Sequence, residues 1–152
     1  MQQFIRRNAR TAALLNLVIN TVIPAGILWP VATIGLRGGP PNWFTVLLPA
    51  VGISALATTI ATFATLPGKP ATQSWLLAAV LNGLRIALLF GLPVALGLLA
   101  AKALTESNLE VTKTTALVVS ALTGAAVGAL ASWVAVRRAA SFFHLPLRAA
   151  SY

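Results

Sequence analysis

Apolar residues run almost unbroken through four stretches of the chain: Thr11–Leu36, Trp43–Leu66, Ser74–Ala101 and Thr114–Val136. Only the third contains a charge, Arg85. Each stretch meets the roughly 20 apolar residues that a helix needs to cross the hydrocarbon core of a bilayer. The segments between them are of a different kind. "RGGPPN" at 37–42 and "PGKPATQ" at 67–73 are punctuated by Pro and Gly, and "KALTESNLEVTK" at 102–113 is polar. No stretch carries a polar stripe wide enough to face water, as the helices of a soluble bundle do. The pattern predicts an all-α integral membrane protein with four transmembrane helices in one membrane domain, residues 1–152.

The pattern also echoes itself. "AALLN" at 12–16 returns as "AAVLN" at 78–82, and Ser54-Ala55-Leu56 returns as Ser120-Ala121-Leu122. Both pairs are 66 positions apart and fall in corresponding spans. This predicts two duplicated helical hairpins, about 1–66 and 67–136, followed by a tail at 137–152. Their first helices run the same way, so the copies form a parallel repeat about an axis along the membrane normal.

Composition strengthens the membrane assignment. Of 152 residues, 58% are hydrophobic and 9% charged, against about 25% charged in a soluble domain. Mean hydropathy is +0.87. The formal charge of +9 then sets an orientation. Arg6, Arg7, Arg10, Lys69, Arg137, Arg138 and Arg148 fall on the side of the termini, and Arg37, Lys102 and Lys113 on the other, with Glu106 and Glu110. Basic residues favour the cytoplasmic side. The expectation is a multi-pass plasma-membrane protein with both termini in the cytoplasm. Trp75 and Trp133 near one face and Trp29 and Trp43 near the other suit interfacial belts. The first apolar run is longer than a signal-peptide core and precedes three more spans, so it reads as a retained helix. Basic residues beside spans attract anionic lipid at about 1 kcal/mol each. Anionic lipids at the cytoplasmic face are therefore the expected partner. Nucleic acid is not, since no basic face on a folded module is evident.

Candidate chemistry is sparse. The sequence has no Asp or Cys, two Glu in one loop and a single His. That excludes disulfides, intramembrane carboxylate pairs and metal-ligand clusters. Phosphate-binding loops and nucleophile elbows are missing too. An enzyme, a cofactor and a metal site are not expected.

What stands out is polarity inside the spans. Asn16 and Asn20 are four apart, hence on one helix face, with Pro24 continuing the stripe. Asn82 and Arg85 are three apart on the third span. An Arg at a helix centre costs about 2.5–3.5 kcal/mol on insertion scales, so it needs acceptors. If the repeats pack about one axis, Asn16, Asn20, Asn82 and Arg85 converge into a substrate-binding cluster. The function expected from that cluster is a permease-like protein that binds or passes a small solute or lipid. The alternative is a non-transporting structural or assembly subunit, with the Asn residues locking helices and Arg85 snorkelling to the phosphates. Two stripes of small residues four apart, Ser120/Gly124/Gly128/Ser132 and Gly83/Ala87/Gly91/Ala95, suit close helix association. The association is expected within the chain, with a homodimer or larger complex as the other use. The tail "SFFHLPLRAASY" at 141–152 is expected to lie on the cytoplasmic interface.

Overall fold

The computed structural model describes residues 2–71 and 74–145. Four helices carry the fold: α1 (Gln2–Ile27), α2 (Trp43–Thr65), α3 (Leu76–Leu104) and α4 (Lys113–Phe142). All four are long and apolar enough to cross a membrane. The 29 residues of α3 span about 43 Å at 1.5 Å per residue. That exceeds the ~30 Å hydrocarbon core. Of the tail expected at the interface, 146–152 with Arg148 lie outside the described residues, and Phe143 is buried in the core. Of that segment, residues 141–142 complete α4.

Local chemistry explains where the helices start and stop. Asn42 caps α2: its side chain accepts from the Thr45 N–H, and the Thr45 hydroxyl accepts from the Asn42 N–H, a reciprocal capping box. The Thr112 hydroxyl accepts from the Thr115 N–H at the start of α4. Two boundaries differ from the expected spans. Helix α1 begins at Gln2 and takes in the basic segment, whose Gln and Arg residues are good helix formers. It ends at Ile27, well short of Leu36. Pro30 disfavours helical backbone at Trp29, and the β-branched Val31, Thr33 and Ile34 favour extended chain. A short strand results, β1 (Thr33–Ile34), which pairs antiparallel with β2 (Val111–Thr112) in the register Thr33↔Thr112, Ile34↔Val111. The strand pair joins the two helix–helix connections at what we call the loop end. The other end, where Arg6, Arg7, Arg10, Lys69, Arg137 and Arg138 lie, is the basic end.

Helices α2 and α4 pack together at the centre. Helix α1 lies closest to α4, and α3 to α2, while α1 reaches α2 through side chains and α3 approaches α4 less closely. Apolar packing forms three layers. Phe63, Leu66, Val136, Ala139 and Phe143 fill the basic end. Val51, Ala55, Ile86, Ala131 and Ala135 fill the middle. Leu28, Ile34, Val46 and Ala116 fill the loop end. The outer faces of α1 and α3 are leucine-rich and exposed, as lipid-facing surfaces are.

Candidate functional site

Where α1 meets α2 and α4, three stripes of residues at four-residue spacing come together. Helix α1 contributes Asn8, Ala12, Asn16, Asn20 and Pro24, all but Asn8 buried. Helix α2 contributes Ser54, Thr58 and Thr62, and α4 contributes Ser120, Gly124, Gly128 and Ser132, all buried. Because α1 and α2 run antiparallel, rising positions on one meet falling positions on the other. The result is a ladder. The Asn8 amide donates to the Thr62 and Ser132 hydroxyls, each at 2.9 Å. The Asn16 amide donates to the Thr58 hydroxyl at 2.8 Å, and the Asn20 amide to the Ser54 hydroxyl at 2.8 Å. Each of the last two amides also donates to a carbonyl one turn back, Ala12 at 2.8 Å and Asn16 at 2.7 Å.

The glycines of α4 make room for these amides. A Cβ on Gly124 would overlap the Asn20 side chain, and one on Gly128 would overlap the Asn16 amide. Among the described residues, two buried side-chain atoms of the seam have no hydrogen-bond partner, the Asn16 Oδ1 and the Ser120 Oγ. Asn16 also borders a cavity of about 50 Å³, whose other polar neighbours are Asn8, Thr11 and Thr58. A water needs only ~10–15 Å³ of such volume, whereas small-molecule pockets run to about 300–1,000 Å³. The cavity is sized for water.

The expected four-residue cluster is not assembled. Asn16 and Asn20 lie together in the seam, but Asn82 and Arg85 sit on α3, which packs on α2 away from α1. The Asn82 amide donates to the Ala78 carbonyl of its own helix at 2.8 Å. Arg85 is exposed on the outer face of α3, among the exposed Leu81, Leu84, Leu88 and Leu89. The physical reason is the helix order. With α2 and α4 between them, α1 and α3 present their polar residues to different neighbours. Asn8 and the α2 hydroxyls belong to the site and were not anticipated. Their signal was available, since Ser54, Thr58 and Thr62 repeat every four residues and Asn8 extends the Asn16/Asn20 stripe by two turns.

Depth can be read from the same contacts. A Cβ on Gly83 would lie 3.5 Å from the Thr59 Cβ, and Thr59 neighbours Thr58, the partner of Asn16. Arg85 therefore lies at about the level of the Asn16–Asn20 rungs, on the opposite side of the bundle. Among the described residues no group of His, Cys, Asp and Glu suitable for a metal ion occurs. Compared with known families, curated proteins and solved structures, the chain matches none.

Proposed function

We propose that this chain is a non-transporting subunit of a membrane complex, held rigid by the asparagine seam and docked to a partner through the outer face of α3. The observation that carries this reading is Arg85: a guanidinium that cannot be neutralised, exposed on an otherwise leucine-rich face, in a chain whose only acids are Glu106 and Glu110 in the α3–α4 connection. Left facing hydrocarbon, such a group costs about 2.5–3.5 kcal/mol. A partner helix with an Asp or Glu at the matching depth would offset that cost. The seam fits the same reading, because its amides are already engaged between helices of this chain.

The test is a charge swap. A photo-crosslinking residue at Leu88 is expected to capture a membrane protein in native membranes, and Arg85→Glu to abolish capture. Reversing the partner's intramembrane acid to Arg should restore it. Capture that is indifferent to Arg85→Glu would sink the reading.

A permease-like role is the second reading, favoured by the unpartnered Asn16 Oδ1 beside the small cavity. It requires the seam to widen around a small hydrogen-bonding solute. Solute flux into vesicles that is lost in Asn16→Leu, with the fold intact, would favour it.

The duplicated-hairpin reading is also ours. It is supported by the packing order: exchanging α1 with α3 and α2 with α4 turns the α1–α4 pair into the α3–α2 pair and keeps the central pair. An antiparallel pairing of the two connection strands is also what a two-fold axis along the bundle would produce. Both termini in the cytoplasm of a plasma-membrane protein remains our proposed orientation, on the basic-residue count alone.

A further inference from the structure

At the basic end, an open groove of about 480 Å³ runs between α1 and α4, lined by Gln2, Ile5, Arg6, Trp133 and Arg137. The Arg137 guanidinium lies over the Trp133 ring, 3.6 Å from its centroid. That stacking restrains a side chain that would otherwise sample many rotamers. Two arginines thus line one groove, and no acidic side chain of the described residues is near them: both Glu residues lie in the α3–α4 connection at the far end. Paired guanidinium groups bind phosphate oxygens through charge-assisted, forked hydrogen bonds. The apolar wall of Ile5 and Trp133 suits an acyl chain rather than a free ion. Cations, an amide donor and an apolar wall at the end of membrane-spanning helices match an amphiphile whose head is an anionic phosphate.

We propose that this groove binds the headgroup of an anionic phospholipid, its phosphate held between Arg6 and Arg137 and one acyl chain laid along Ile5 and Trp133. The site is separate from the α3 face and stands whether or not a protein partner docks there. It differs from the diffuse attraction of all basic residues to an anionic surface, because it depends on these two arginines and not on Arg10 and Arg138, which are exposed at the same end outside the groove.

The experiment is lipid retention by the full chain in a non-ionic detergent, read by native mass spectrometry with phosphatidylglycerol or phosphatidylcholine added. Retention of phosphatidylglycerol over phosphatidylcholine is expected. The double variant Arg6→Gln/Arg137→Gln should lower it by about tenfold or more, as loss of two charge-assisted contacts implies. The control Arg10→Gln/Arg138→Gln removes the same charge and should stay within about twofold, as for exposed screened charges. Circular dichroism on both variants checks that the helices persist. Equal loss in the two variants would reduce the effect to bulk charge and overturn the site. Displacement of the lipid by millimolar inorganic phosphate would make it a free-anion site and overturn the lipid assignment, as would equal retention of phosphatidylcholine.

Discussion

At the residue scale the seam is held by fit as much as by hydrogen bonds. Gly124 and Gly128 face the amides of Asn20 and Asn16 so closely that a methyl group has no space. Overpacking of a well-packed interior costs about 1–3 kcal/mol. Gly124→Ala and Gly128→Ala are each expected to lower detergent unfolding stability by at least that much, while Gly52→Ala, where a Cβ meets nothing within 4 Å, should be near neutral. The hydrogen bonds are worth less. A double-mutant cycle on Asn20→Ala and Ser54→Ala should return a coupling of about 0.6 kcal/mol and at most ~2, as interhelical bonds in membranes do. A coupling near zero would mean that the pair is formed only in passing. The Asn16/Asn20 stripe was legible in the sequence because a four-residue interval fixes a face. Its neighbour was not, because periodicity says which way a side chain points and not which helix waits there. Arg85 shows the same limit: its place on the third span was legible, and its exposure depended on α3 packing mainly against α2.

At the scale of elements, the spans were legible from unbroken apolarity, which the hydrocarbon core demands whatever the packing. The stretch 28–36 was misjudged for the same reason. It is apolar, but the chain leaves the helix before Pro30, and Thr33–Ile34 form β1. The connections at that end are also tied by side chains that no pattern marks. Asn108 accepts from the Arg37 N–H at 2.6 Å through its side chain and from the Leu36 N–H at 2.8 Å through its carbonyl. The Arg37 guanidinium donates to the carbonyls of Lys102 at 2.8 Å and Thr105 at 2.6 Å. Arg37→Ala should therefore loosen both connections without unfolding the helices. Hydrogen exchange should quicken at Ile34, Leu36 and Lys113 and stay unchanged at mid-helix amides. Uniform protection in the variant would show that the strand pair alone suffices.

At the scale of the whole molecule, the charge distribution makes a topological prediction. In intact cells, a cysteine replacing Gln2 should resist a membrane-impermeant thiol reagent, and one replacing Ser107 should react. The reverse labelling would invert the proposed orientation and leave the fold untouched. The native chain has no Cys, so each label reports a single site. The two ends of the bundle are also fastened differently. Strand pairing and the Arg37 clasp bind the loop end across the two hairpins. At the basic end the hairpins are joined by the chain itself between α2 and α3, by the Asn8 amide, which bonds to Thr62 of one and Ser132 of the other, and by packing around Phe63 and Phe143. Mechanically the bundle is pinned at both ends, as a ladder is by its first and last rungs. Over a helix of about 40 Å, a tilt of about 2° at either pin would shift the other end by about 1.4 Å, so each pin restrains the other. Lateral tension in either leaflet would therefore meet a tie between the hairpins and not a free tip.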